Sequence, residues 1–94
     1  MTAEIAVINP RTGQADYAIS PLSPDDLAEL ATRMRAAQSV WTARPIEQRG
    51  AILKQLGASI ARHRGALIDA LTADTGRAGI SLTEVDSIPA MLNR

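Results

Sequence analysis

Seventeen alanines, two aromatic residues (Tyr17 and Trp41) and no phenylalanine limit what this chain of 94 residues can fold into. Side chains bulky enough to fill an interior are scarce, so an independent core is thin. The length allows one small domain at most. No internal repeat, low-complexity tract or long linker divides the sequence, and residues 1–94 are expected to form a single structural piece. Apolar stripes without enough core to cover them imply association or marginal stability.

Charge and cysteine content narrow the function classes. Ten basic residues balance ten acidic ones, which argues against a nucleic-acid binder, because such a protein concentrates positive charge to displace phosphate counterions. Nothing points to a membrane partner either. The start, MTAEIAVINPRTG, lacks a basic segment followed by a long apolar one, and no run of about 18 apolar residues occurs. A cytoplasmic protein is the expectation. With no cysteine, disulfides, thiolate metal sites and cysteine nucleophiles are absent from this chain.

Residues 4–19, EIAVINPRTGQADYAI, place two short apolar runs around a turn-forming cluster and predict a β-hairpin. Pro10 pushes Asn9 toward an extended conformation, and Gly13 can take the positive φ that closes a hairpin with a bulge. Two strands alone are marginal in water. The hairpin must pack on the helices that follow or pair with strands from elsewhere.

From residue 23 to 94 the period becomes helical. Ser23 can cap, Pro24 suits the first helical position, and Asp25 and Asp26 complement the positive end of the dipole. Leu27, Leu30, Met34, Ala37 and Trp41 form one apolar stripe, so this helix is amphipathic and needs a partner. Pro45 opens a second pattern, Ile46, Ile52, Leu53, Leu56 and Ile60, interrupted by ARHRG at 61–65, with Gly65 as the expected break. Leu67, Ile68 and Leu71 lead to Gly76, placed as the left-handed residue after a helix end. Ser81, Leu82, Thr83 and Glu84 read as an S-x-x-E capping box opening a fourth helix with Val85, Ile88 and Leu92. Pro89 falls inside that helix, and Arg94 carries no helix-stop signal, so the pattern reads as truncated. The fold class is mostly α with a short N-terminal β-hairpin and three to four amphipathic helices.

The stretch TADTGRAGIS, residues 72–81, contains the Asp-Thr-Gly in which retroviral-type aspartic proteases hold their catalytic aspartate. That reading requires Asp74 to leave an apolar strand, yet the preceding GALIDALTA has helical spacing, and a helix C-terminus stopped by Gly76 is the better account. GRAGIS lacks the spacing, lysine and hydroxyl of a phosphate loop. An anion near Arg77 at the fourth helix is a weaker reading than Glu84 satisfying that helix end.

His63, the sole histidine, has no partner at ligand or triad spacing and reads as a solvated side chain. The basic residues between Arg44 and Arg64 outnumber the acids and read as a solvated face. Trp41 is expected to fill the corner between the first two helices. Arg49 is expected to be structural, its fork suited to Asp25 or Asp26.

INPRTGQ (8–14), PLSPDDLAELATRMRAAQSVWTARPIEQRGAILKQLGASI (21–60) and LTADTGRAGISLTEVD (71–86) together resemble, in order and spacing, the N-terminus of the aldehyde dehydrogenase superfamily. Members open with a hairpin around N-P-x-T-G, then A-x-x-x-W, P-x-x-x-R-x-x-x-L and E/D-T-G-[KR]. Here these are Asn9 to Gly13, Ala37 to Trp41, Pro45 to Leu53 and Asp74 to Arg77. Two departures stand out: Arg77-Ala78 where many relatives have Lys-Pro, and Pro89 in the last helix.

The resemblance implies the N-terminal part of the coenzyme-binding domain of an α/β enzyme that oxidises aldehydes to carboxylic acids with NAD or NADP. In that family a cysteine attacks the aldehyde and a glutamate activates the hydrolytic water. It implies that the cysteine, the glutamate, an oxyanion-binding asparagine and the cofactor-binding glycine turn all lie outside this segment. No catalytic, cofactor-binding or metal-binding residue, and no cofactor for this chain alone, is therefore expected. Its partner would be the remainder of the subunit, or another copy through the apolar helix faces. The alternative is a free-standing helical module for self-association or partner binding through Leu27, Leu30, Met34 and Trp41.

Overall fold

The computed structural model describes residues 3–94; the first two residues of the expected single piece lie outside the described ones. The elements run β1 (Ile5–Ile8), β2 (Ala15–Ile19), α1 (Pro24–Ala43), α2 (Ile46–Arg62), α3 (Arg64–Thr75) and α4 (Ala78–Leu92). The fold is mostly helical with an N-terminal antiparallel hairpin.

β1 and β2 pair Ile5 with Ile19, Ala6 with Ala18, Val7 with Tyr17, and Ile8 with Ala15, so a bulge falls at Asp16. The turn is closed twice by main-chain bonds between residues 9 and 13–14, Asn9 N–H to Gln14 carbonyl and Gly13 N–H to Asn9 carbonyl, both 2.8 Å. The Asn9 side chain accepts from the Arg11 N–H at 2.9 Å and donates to Asp16 at 3.1 Å. Gly13, at φ 74°, takes the left-handed conformation predicted for it.

Ser23 caps α1 by accepting from the Asp26 N–H at 3.1 Å, with Pro24 in the first turn. The helix that follows is 20 residues long and buries none of them. Leu27 and Met34 of its stripe are 54% and 63% exposed, so the partner this stripe requires is not supplied by the described residues. Trp41 is half-buried near the turn into α2.

The packed part of the molecule is the set α2, α3 and α4, with α4 touching both of the others. Gly57 of α2 is buried, and a Cβ there would lie 3.4 Å from the Leu92 Cβ and 3.7 Å from the Pro89 Cα. The absence of a side chain lets the two helices approach closely. Pro89 does not break α4, which continues to Leu92. α4 also holds the buried side chains of Ser81, 1% exposed, and Val85, 6% exposed, the latter the one buried apolar side chain among the described residues.

Two boundaries differ from expectation. The break between α2 and α3 falls at His63, whose N–H reaches the Ser59 and Ile60 carbonyls, and Gly65 lies inside α3. Without a positive φ at Gly65, nothing there ends a helix. The fourth helix starts at Ala78, so Ser81 and Glu84 do not form a capping box. Ser81 is already interior and hidden from water, and its hydroxyl is satisfied by donating to the Arg77 carbonyl at 2.7 Å.

The molecule measures 48 × 37 × 16 Å with a radius of gyration of 17.4 Å. A compact domain of this length would have a radius near about 12 Å. Its accessible surface is 7328 Å², against roughly 5,200 Å² for a compact monomer of this mass. One thin layer with so little interior gives weak cooperativity. The isolated chain is expected to unfold over a broad temperature range, as followed by helical circular dichroism; a sharp transition at high temperature would contradict this account.

Candidate functional site

The Asp74, Thr75, Gly76 triplet forms the end of α3 and its cap. The Gly76 N–H reaches the Thr72 carbonyl at 2.7 Å with φ at 70°, the left-handed helix stop expected for it. Thr75 donates its hydroxyl to the Leu71 carbonyl at 2.7 Å and accepts from the Arg77 N–H at 3.2 Å. Asp74 accepts the Tyr17 hydroxyl, 3.0 and 3.2 Å from its two oxygens. It closes a helix rather than leaving a strand, which removes the geometry an aspartic protease needs.

The Tyr17 contact, which sequence spacing gave no means of finding, fastens β2 to the end of α3 across 57 residues. A second contact lies beside it: a Cβ at Gly76 would sit 3.2 Å from the Pro10 Cγ and 3.3 Å from the Arg11 Cγ. The hairpin turn thus rests on the α3–α4 junction. The hairpin touches its own helices at these two points, while its strands stay largely exposed.

The hydrogen bond to Asp74 raises the Tyr17 pKa above its ordinary value, with desolvation and the nearby Asp74 and Asp16 charges acting in the same direction. Because the folded pKa is raised, the contribution is complete below the ordinary phenol pKa of about 10. It is lost as pH rises through the higher folded value, when phenolate and carboxylate repel. Tyr17→Phe is expected to lower the melting midpoint slightly at neutral pH and to abolish this alkaline decline. An absorbance titration of the single tyrosine checks it: an ordinary pKa in the wild-type chain would exclude the contact.

Arg64 and Asp86 make the one ion pair among the described residues, Nε and Nη2 of the guanidinium meeting the two carboxylate oxygens at 2.6 and 2.9 Å. This fork joins α3 to α4. Hydrogen bonding to Arg64 lowers the Asp86 pKa. Its contribution is present at neutral pH and is lost as pH falls through that lowered value.

Arg49 does not pair with Asp25 or Asp26. These stand in the first turn of a 20-residue helix, which rises about 1.5 Å per residue, while Arg49 sits just past its far end. The Arg49 Nε is shielded from water and has no acceptor. His63 Nδ1 lies 2.7 Å from the Ser59 carbonyl, which occupies the ring locally.

Two open grooves lie along α1, one of them lined by Arg35, Gln38, Ser39, Thr42 and Ala43 of that helix alone. No group of three His, Cys, Asp or Glu side chains is placed to hold a metal ion among the described residues. No described helix is long and apolar enough to cross a membrane. β2 passes into α1 through Ser20, Pro21, Leu22 and Ser23, which contain no glycine.

The hairpin and four helices in this arrangement can be set beside known proteins. The sequence model of the aldehyde dehydrogenase family matches residues 1–93. The chain belongs to the aldehyde dehydrogenase family. A solved structure described as an aldehyde dehydrogenase, PutA, from Anabaena variabilis superposes with a TM-score of 0.90 at 42% identity, over 98% of this chain and 20% of that one. A protein of Mycolicibacterium smegmatis named as an NADP(+) succinate-semialdehyde dehydrogenase is 33% identical over 87% of this chain and 16% of its own length. A vanillin dehydrogenase of an Amycolatopsis species is 34% identical over 78% of this chain and 15% of its own. The chain therefore spans about a sixth of the length of the curated relatives it matches.

Proposed function

We propose that this chain is the N-terminal structural segment of an aldehyde dehydrogenase, forming part of its coenzyme-binding domain and carrying no catalytic residue of its own. In the complete polypeptide an aldehyde is oxidised to a carboxylic acid with NAD or NADP. The likeness to the Anabaena variabilis structure carries this reading: 98% of this chain follows a fifth of that dehydrogenase at 42% identity. The open, single-layer shape supports it, since a segment whose neighbours are elsewhere leaves its helix faces uncovered.

Assay of the purified chain with NAD or NADP and a panel of aldehydes is expected to give no reduced nicotinamide. Turnover by the chain alone would overturn the assignment. The coding frame beyond Arg94 is expected to continue into sequence bearing a cysteine and a glycine-rich turn after a strand; an immediate stop there would favour the second reading. That reading, a self-associating helical module, rests on the exposed Leu27 and Met34 of α1. A concentration-dependent dimer that melts cooperatively would support it.

A further inference from the structure

Along α2, Ile46, Gly50, Leu53, Gly57 and Ile60 recur at intervals of three and four residues and so share one face. The two ends of this seam differ. At Gly57 it is covered: the glycine is buried, and a Cβ there would stand 3.4 Å from the Leu92 Cβ and 3.7 Å from the Pro89 Cα. Two turns nearer the start of α2 it is open. A Cβ at Gly50 would meet nothing within 4 Å, and Ile46 and Leu53 on either side are 70% and 40% exposed. Glycine inside a helix is less stable than alanine, and neither a positive φ nor any neighbour in this chain calls for it at position 50.

The direction of α4 shows what comes next on that seam. Asp86 meets Arg64 at the start of α3, and farther along α4 Pro89 and Leu92 meet Gly57. Advancing along α4 therefore leads from the α2–α3 turn back toward the start of α2. The covered positions of α4, Ser81, Val85, Pro89 and Leu92, also recur every three or four residues as one face. Leu92 is the last of them. From Gly57, where Leu92 sits, the open position at Gly50 is about 10 Å farther along α2, the length of about seven residues of helix.

We propose that the polypeptide continuing past Arg94 extends α4 by about two turns and covers the open half of this seam, packing at Gly50 as Leu92 packs at Gly57. The inference rests on the reading above as an N-terminal segment, in which the matched part is 20% of a chain such as that of Anabaena variabilis. The occupant is the stretch contiguous with α4 because it prolongs an interface already formed and needs no connecting loop. Gly50, unexplained in the free chain, then admits a close approach of the second helix.

Three lengths of the protein provide the test: the 94-residue chain, the chain lengthened by the next ten or so residues of its own coding frame, and the complete polypeptide. In the 94-residue chain, Gly50→Leu is expected to leave helical circular dichroism and the melting midpoint unchanged or raised. In the complete polypeptide it is expected to lower the midpoint by several degrees or prevent folding, with Gly50→Ala milder. The lengthened chain is expected to gain more helical signal than its added residues supply and to melt at higher temperature, and Gly50→Leu to abolish both gains. Loss of stability in the short chain would make Gly50 an internal packing residue and overturn the proposal. So would a complete polypeptide indifferent to Gly50→Leu. Sensitivity of the complete polypeptide without any gain in the lengthened chain would place another segment over the seam, again against the proposal. A coding frame that stops at Arg94 would instead overturn the assignment as an N-terminal segment.

Discussion

Gly57→Leu is expected to force α2 away from α4 and to remove much of the stability the free chain has. Overpacking a close contact costs about 1–3 kcal/mol, and the single layer offers little other buried surface to offset it. A Cβ at position 57 would already touch Leu92 at 3.4 Å and the Pro89 backbone at 3.7 Å. The remaining three carbons of leucine have no space between the helices. Gly57→Ala separates this effect from backbone preference. Its methyl group meets those neighbours at ordinary contact distance, while exchanging glycine for alanine within a helix gains up to about 1 kcal/mol. Alanine should therefore be neutral or stabilising and leucine strongly destabilising. Hydrogen exchange at Val85, buried in the same helix α4, checks the location: protection should survive Gly57→Ala and vanish in Gly57→Leu. Retained protection in the leucine variant would mean that the helices are not held by this approach.

That contact had no signal in the sequence, unlike the ends of the elements. Local chemistry read well: Ser23 and Pro24 start α1, Gly13 closes the hairpin, and Gly76 stops α3, because each acts on backbone atoms a few residues away. Reading failed where one local signal competed with another. Ser81 and Glu84 have the spacing of a capping box, yet Gly76 releases the chain early enough for the helix to begin at Ala78. ARHRG does interrupt the helical run, but the turn falls at His63 and not at Gly65, which has no positive φ.

Contacts between distant segments had no local signal. Tyr17 with Asp74, Arg64 with Asp86, and the approach of Gly57 to Pro89 join residues that no periodicity relates. The sequence pairs Arg49 with Asp25 or Asp26, but those acids lie at the far end of α1. The lack of any acceptor at the Arg49 Nε could be seen only once every side chain had a place. The thin core expected from composition is found, one buried valine and one buried serine among the described residues, but its cause is different: large apolar side chains such as Ile46, Leu56 and Met91 are present and stay exposed.

Gly76→Val is expected to detach the hairpin from the helices. Two effects add at this position. A left-handed backbone costs an L-residue about 1–2 kcal/mol, and a β-branched one is a genuine outlier there. The new Cβ would also stand 3.2 Å from the Pro10 Cγ and 3.3 Å from the Arg11 Cγ, with valine's methyl groups closer still. Gly13 provides the control, since its φ of 74° is nearly the same and a Cβ there meets nothing within 4 Å. Gly13→Ala bears the backbone effect alone, whereas Gly76→Ala bears the backbone effect and the hairpin contact. The difference between their unfolding midpoints in urea therefore measures how firmly the hairpin turn sits on the α3–α4 junction. Moving Pro10 and Arg11 outward also draws Tyr17 away from Asp74, so in Gly76→Val the tyrosine should ionise near its ordinary pKa of about 10 while helix content persists. Equal costs for the two alanine variants, with an unchanged Tyr17 titration, would show that the hairpin does not depend on this junction. If the titration does shift, the Asp-Thr-Gly stretch has a physical role that needs no chemistry at Asp74: it orients the hairpin on the α3–α4 junction.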